Sequence, residues 1–323
     1  LIGYISQSST FMTSPLFTVF TPTYNRAHTL HRCHESLKAQ TLRDFEWLIV
    51  DDGSTDGTAD LVAGWQAEGR VSIRYEQRSH LGAHHVHNFC LEAARGRFWV
   101  KLDSDDACKP EALGRMWHVW QSIPENEREG FAGVTGLCED QDGRLVGGRF
   151  PLDPLDCTSA ELQYIHRVEG EKWGCLRLDV LRQFPYPDNV PGDFIPESFI
   201  WSQVARRYKT RHFNDMLRIY WMDAPSLVHG MRNPCRNAAG HSLMFQKILE
   251  FESGYMCDAP LMLLRGAGQY VRFSFLSGKG PLCQVRDLPA VRARALWLAG
   301  LPIGLALLAR DWLSGSLGMS QRA

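Results

Sequence analysis

The chain has 323 residues, 44% of them hydrophobic, and 35 Lys and Arg balance 36 Asp and Glu to a formal net charge of -1. That length can bury a large core with room for an appendage, and the near-neutral balance excludes a nucleic-acid binder that works through bulk charge. Nine cysteines lie scattered with no Cys-x-x-Cys pair, which argues for a reducing compartment and against a zinc site.

Residues 1–14 read as a loose segment with no signal-peptide pattern, and Met12 is the expected native start. Phe17-Thr18-Val19-Phe20 is a β-rich run closed by Thr21-Pro22-Thr23-Tyr24-Asn25, followed by helix-spaced apolar positions from His28 to Ala39. Phe45 to Val50 is a second strand, ending at Asp51-Asp52-Gly53-Ser54, and Thr55 to Gln66 reads as a helix rich in capping residues. Val71 to Tyr75 is a third strand, Leu81 to Arg95 a helix, and Phe98 to Leu102 a fourth strand. Strands alternating with helices predict a parallel α/β sheet, whose ligands bind beyond the carboxyl ends of the strands. The polar clusters around Thr21, Asp52 and Asp105 all fall at such ends.

Leu102-Asp103-Ser104-Asp105-Asp106 follows a buried run, and two carboxylates spaced one apart can hold a hard divalent cation through oxygen ligands. An acidic loop that caps the next helix, with Pro110 in its first turn, is the alternative. Asp51 to Gly57 is not an EF-hand loop, because a loop starting at Asp52 has Ala63 where the glutamate is required. It is either a ligand-facing turn or a helix N-cap. His84, His85 and His87 diverge on a helix, which disfavours a shared ion and leaves His84 to face the cleft.

Further along, Pro110 to Trp120 is a core helix, residues 131–150 suggest strands around Gly143, Phe194 to Tyr208 aligns apolar residues on one helix face, and residues 209–222 read as strand and turn. From about residue 240 the character changes. Ala295 to Ala309 is almost free of polar side chains, is interrupted by Pro302, and is flanked by Arg292, Arg294 and Arg310. Its fifteen residues fall short of the roughly 20 that cross a bilayer, which suits a helix lying on an anionic membrane or a buried helical contact.

Thr21-Pro22-Thr23-Tyr24-Asn25-Arg26, Asp51-Asp52-Gly53-Ser54-Thr55-Asp56 and Asp103-Ser104-Asp105-Asp106, in that order and spacing, resemble the GT-A glycosyltransferases of family 2 over roughly residues 15–225. The resemblance implies a Rossmann-like, mostly parallel sheet flanked by helices, followed by a helical C-terminal extension. It divides the chain into a transferase domain at 15–235, with a nucleotide-sugar part at about 15–125 and an acceptor part at about 126–235, and an extension at 236–323. It implies an inverting, metal-dependent transfer of a sugar from a nucleotide-diphosphate donor, UDP-linked for preference, to a hydroxyl on a glycan or lipid-linked acceptor. Pro22, Thr23 and Tyr24 would line the nucleoside pocket, Asp52 would accept from the base with Asp51 beside it, and Asp103 would face the ribose or metal. Asp105 would ligate the metal, Mn2+ or Mg2+.

The segment Gly82 to Asn88 also looks like a family segment, which places Asn88 among the donor contacts, although Gly82-Ala83-His84 lacks the lysine common at that point in bacterial members. Gly170-Glu171-Lys172-Trp173 and Ile195 to Trp201 resemble segments of a polysaccharide-type subgroup, in which an Asp stands four residues before a Trp. Here Glu197 holds that place before Trp201 and is the expected catalytic base; its alternative is a first-turn acid favoured by the helix dipole. A surface-polysaccharide or lipid-linked glycan enzyme, cytoplasmic or at the inner face of the plasma membrane, is the resulting expectation. A weakly active nucleotide-binding module, or a membrane-surface scaffold resting on the tail alone, is the alternative.

Overall fold

Four segments, three of them largely apolar, supply the parallel half of the sheet in this computed structural model, which describes residues 14–80, 82–222 and 234–314. In chain order they are β1 (Phe17–Thr23), α1 (His31–Lys38), β2 (Phe45–Asp51), α2 (Thr58–Glu68), β3 (Ile73–Gln77), α3 (Ala83–Ala93) and β4 (Phe98–Lys101). Strands β1 to β4 pair in parallel in the order β3-β2-β1-β4. Every residue of β2 is buried, the mark of a strand covered on both faces.

The chain then adds β5 (Ala107–Cys108), α4 (Ala112–Gln121), β6 (Phe131–Asp140), β7 (Leu155–Cys157), α5 (Ser159–Tyr164), β8 (Lys172–Arg177), α6 (Leu178–Leu181), α7 (Ser198–Val204) and β9 (Lys209–Tyr220). These extend the sheet to β3-β2-β1-β4-β8-β6-β9-β5, with β7 on β9, and introduce antiparallel pairs beside β4. One face packs on Cys33, Leu37, Val62, Trp65, Leu113 and Met116 of α1, α2 and α4. The other packs on Val86, Cys90, Leu181, Phe199 and Ile200 of α3, α6 and α7.

The last layer is helical: α8 (Ala238–Glu252), α9 (Pro260–Leu276), α10 (Pro281–Arg286) and α11 (Val291–Leu313). It joins the sheet domain through Tyr164 of α5, whose hydroxyl donates to Glu252 at 2.6 Å. Glycines let α11 lie close on α9: a Cβ at Gly300 would stand 2.7 Å from that of Ala267, and one at Gly304 2.5 Å from that of Val271.

Two expectations need correction. The apolar tail is not a fifteen-residue piece: α11 runs 23 residues straight through Pro302 and is long and apolar enough to cross a membrane. Pro302 is exposed and the helix continues past it. What argues against spanning is docking rather than length. One face is buried on the protein, where Asp311 pairs with Arg272 at 2.5 Å and the Trp297 indole donates to Gln284 at 2.9 Å. The helix expected from Phe194 is also shorter, because Pro196 disfavours helical backbone in the residue before it and the first helical residue is Ser198.

Candidate active site

Parallel pairing aligns the ends of four strands on one edge. Thr23 is level with Asp51, Asp51 with Gln77, and Phe20 with Lys101, so each residue after those ends opens on the same side of the sheet.

The turn after β2 resolves the choice between cap and ligand site. Gly57 is the N-cap of α2, and Asp56, not Asp51 or Asp52, bonds its first residue, accepting from the Thr58 amide at 3.1 Å and its hydroxyl at 2.5 Å. Asp51 is fully buried and uses both oxygens on the Ser54 amide at 2.7 Å and the Tyr75 hydroxyl, which fixes the turn. Asp52 bonds across to the segment after β3. Its Oδ2 takes the Gly82 amide at 3.1 Å and lies 3.1 Å from His80 Nδ1.

The His80 ring packs on Tyr24 with centroids 4.6 Å apart, and Tyr24 is 47% exposed, which leaves aromatic surface beside Asp52. Pro22 and Thr23 precede it at the end of β1, Thr23 buried and Pro22 partly so. Gly82 is required here. At φ +98° it sits so close to Asp193 that a Cβ would lie 2.5 Å from that residue's carbonyl oxygen. This approach, with the Ala83 amide bonded to the same carbonyl at 2.9 Å, brings the segment leading to Glu197 across the strand ends.

Beyond β4, Asp103 and Glu197 meet through a residue that the sequence reading passed over. The Lys101 ammonium lies 3.0 Å from Asp103 and 2.5 Å from Glu197. Glu197 stands at the N-cap of α7 but makes no capping bond, so its carboxylate faces the cleft instead of serving the helix. Arg218 of β9 donates to Asp103 at 2.6 Å and, through its Nε, to Asp106 at 2.7 Å. Burial alone would raise the Asp103 carboxyl; the Lys101 and Arg218 charges outweigh it and hold that group well below the usual carboxylate range. Burial drives Lys101 down while Asp103 and Glu197 drive it up, with the upward effect larger.

The metal expectation divides. Both oxygens of Asp103 are taken by cations, which makes it a poor ligand as it stands. Asp105 is partly exposed and its carboxylate has no partner among the described residues, so it fits a divalent ion. No three His, Cys, Asp or Glu side chains among the described residues converge to hold an ion by themselves.

Asn88, expected among the donor contacts, uses its amide on the Tyr186 backbone, donating at 2.8 Å and accepting at 2.9 Å, so it positions the loop before α7. His84, expected to face the cleft, is buried against His85 and Tyr186. Trp173 of the singled-out Gly170–Trp173 segment pins the end of β4, its indole donating to the Lys101 carbonyl at 2.5 Å. Lys101 could have been noticed as a lone charge in an apolar strand. Arg218 and His80 carry no such signal.

Residues 18–143 match the family model described as glycosyl transferase family 2. The chain is 30% identical over 244 residues to a GalNAc(5)-diNAcBac-PP-undecaprenol beta-1,3-glucosyltransferase of Campylobacter jejuni, covering 74% of this chain and 75% of that one. It is 31% identical over 171 residues to TuaG of Bacillus subtilis, named as a teichuronic acid biosynthesis glycosyltransferase, covering 52% of this chain and 63% of TuaG. It spans 30% of the length of EpsH, another Bacillus subtilis relative. The fold is similar to that of S. aureus TarS residues 1–349 in complex with UDP-GlcNAc, with a TM-score of 0.63, 15% identity, and 93% and 92% of the two chains covered.

Proposed function

The chain belongs to glycosyltransferase family 2, and on that premise we propose that it transfers a sugar from a UDP-linked donor to a hydroxyl of a lipid-linked or polysaccharide acceptor, with inversion at the sugar carbon. One observation carries the reading: Glu197, from the segment that crosses the strand ends, meets Asp103 at the end of β4 through Lys101. That convergence sets a carboxylate free of capping duty over the edge where the nucleotide pocket opens.

Each residue then has a task. Tyr24 and His80 offer an aromatic surface for the base, and Asp52 accepts from a base N–H. Asp105 would hold a divalent ion, Mn2+ or Mg2+, with Asp103 joining only by giving up a cation. Such an ion supplies charge neutralisation for the leaving diphosphate. Glu197 takes the proton from the acceptor hydroxyl, and a single displacement assisted by a single base inverts the anomeric centre. The acceptor class draws on the Campylobacter jejuni relative, whose name records an undecaprenol-linked glycan.

The apolar face of α11 adds a location. Val291, Ala295, Leu298, Pro302, Leu305, Ala309 and Trp312 are exposed along one stripe, and Arg292, Arg294 and Arg310 are exposed beside it. At 100° per residue Arg292 and Arg310 fall on one border of the stripe and Arg294 on the other, the layout of a helix lying on an anionic lipid surface. We therefore place the enzyme on the cytoplasmic face of a membrane.

The test is a panel of nucleotide sugars with manganese and a hydroxyl acceptor, comparing wild type with Glu197→Gln. Turnover should fall about 10²–10⁴-fold while UDP binding survives, as expected when only a general base is lost. A Glu197→Gln protein with near-normal turnover overturns the assignment, and Asp193 becomes the next carboxylate to examine.

A further inference from the structure

Lys101 is an ammonium at a fixed place. It follows Phe98, Trp99 and Val100, all buried, and its own carbonyl is held by the Trp173 indole. The side chain therefore starts from a point that packing determines. It ends between two carboxylates that the proposed reaction assigns to opposite reactants, Asp103 on the donor side and Glu197 on the acceptor side.

Glu197 needs an anchor. Its side chain is 43% exposed and has three rotatable bonds, so without a fixed partner it would sample several rotamers over the cleft. The other groups facing it are His87 of α3 and Tyr186 of the preceding loop. Burial pushes His87 down to about 4, which leaves its imidazole neutral near pH 7, and burial raises the Tyr186 phenol. Neither competes with Lys101 for the carboxylate. Among the described residues Lys101 is the cation that binds it, and the bond to Asp103 on the other side keeps the ammonium from following Glu197 wherever it moves.

We propose that Lys101 is a positioning residue for sugar transfer, fixing the Glu197 carboxylate at the acceptor side and tying its place to Asp103 on the donor side. The inference rests on the transferase reading of this site. It predicts that Lys101 acts on turnover through Glu197 and contributes little to holding the nucleotide.

The experiment is a double-mutant cycle on kcat with Lys101→Met, Glu197→Gln and the pair, alongside UDP affinity by calorimetry. Lys101→Met should lose about 10²-fold in kcat, the scale of a misplacement of about 1 Å at a reacting group, with UDP affinity changed less than about threefold. Lys101→Arg should recover most of the rate. The double variant should be no slower than Glu197→Gln, because a residue acting only through another adds nothing once the other is gone.

Losses that multiply in the double variant, or a Lys101→Met enzyme with normal kcat, overturn the proposal. So does a rate loss matched by an equal loss of UDP affinity. Thermal melts accompany each variant; if Lys101→Met does not fold, Lys101→Gln, which keeps a donor at the same point, takes its place in the cycle with the same outcomes. Wild-type protein that transfers sugar from no donor overturns the transferase reading instead, so the two failures are distinct.

Discussion

Arg218 Nη2 lies 2.6 Å from Asp103 Oδ2, joining the end of β9 to the end of β4 across 115 residues of sequence. Arg218 is 6% exposed and also serves Asp106, which is 1% exposed. Two acidic side chains at the mouth of the sheet thus depend on one buried guanidinium. Replacing it with Met leaves the buried Asp106 without a charge partner and Asp103 with Lys101 alone, at a cost of about 3–5 kcal/mol. Urea unfolding should show the loss as a lower midpoint with little change in slope. A midpoint within error of wild type would mean that water replaces the arginine at no cost.

The Asp105 carboxylate, without a partner among the described residues, and a committed Asp103 beside it set the expected metal response. Chelator should abolish transfer. Asp105→Ala should lower activity about 10²-fold or more, the scale seen when charge stabilisation of a transition state is removed. The discriminating measurement is titration of manganese by calorimetry in the presence of UDP. Asp105→Ala should lose the binding, whereas full activity in chelator would remove metal from the account.

Nucleotide recognition should divide between the two aspartates after β2. Asp52 lies beside His80 in the proposed pocket, so Asp52→Ala should weaken UDP binding by roughly 1–3 kcal/mol, the penalty for an unpaired buried hydrogen-bond partner. Asp51 instead holds the turn through Ser54 and Tyr75. Tyr75→Phe should therefore lower stability by about 1 kcal/mol while changing UDP affinity less than Asp52→Ala does. Equal effects of the two variants on affinity would place Asp51 in contact with the base.

Membrane attachment is testable on residues whose exposure protects the fold. Leu298 is 64% exposed and Leu305 is 51% exposed, on the outward stripe of α11. Leu298→Glu with Leu305→Glu should leave the melting temperature near wild type and release the protein from phosphatidylglycerol-containing vesicles in flotation. Binding to neutral vesicles should be weaker than to anionic ones, and salt should reduce it. A wild-type chain that never floats, and sediments as a dimer that the double substitution dissociates, would assign the stripe to a second copy.

Two buried histidines each act against the fold in acid. Burial holds both His87 and His212 down to about 4. The unfolded chain, with a histidine pKa of about 6.5, takes up protons that the folded chain refuses, so each site lowers stability as pH drops from about 6.5 toward 4. From pH 7 to 5 each site should remove about 2 kcal/mol. Burial raises the Glu252 carboxyl to about 7, which acts in the opposite sense, so the readout is a difference: between pH 7 and 5 the urea stability of His212→Leu should change by about 2 kcal/mol in favour of the variant relative to wild type. Equal acid sensitivity in that variant would show that His212 titrates normally.

Much of this molecule is legible in its residues because its physics is local. Phe45 to Val50 declares a buried strand with five apolar residues in six, and parallel strands announce their ligand edge by where the polar residues fall. The residues expected at the site, Asp52 and Asp105 at strand ends and Tyr24 and Glu197 through the family resemblance, could therefore be named one by one. Their partners could not. Whether Asp51 or Asp52 meets a ligand depends on a hydroxyl 24 residues away. Whether Asp103 is available to a metal depends on Lys101 and Arg218, and the latter comes from a strand that arrives only when the sheet closes. The length of α11 was hidden by Pro302, which by itself predicts a break or kink, although the helix continues past it. Hydrogen bonds and ion pairs between elements are set by distances of about 3 Å, and chain order does not encode such distances until the layers have packed.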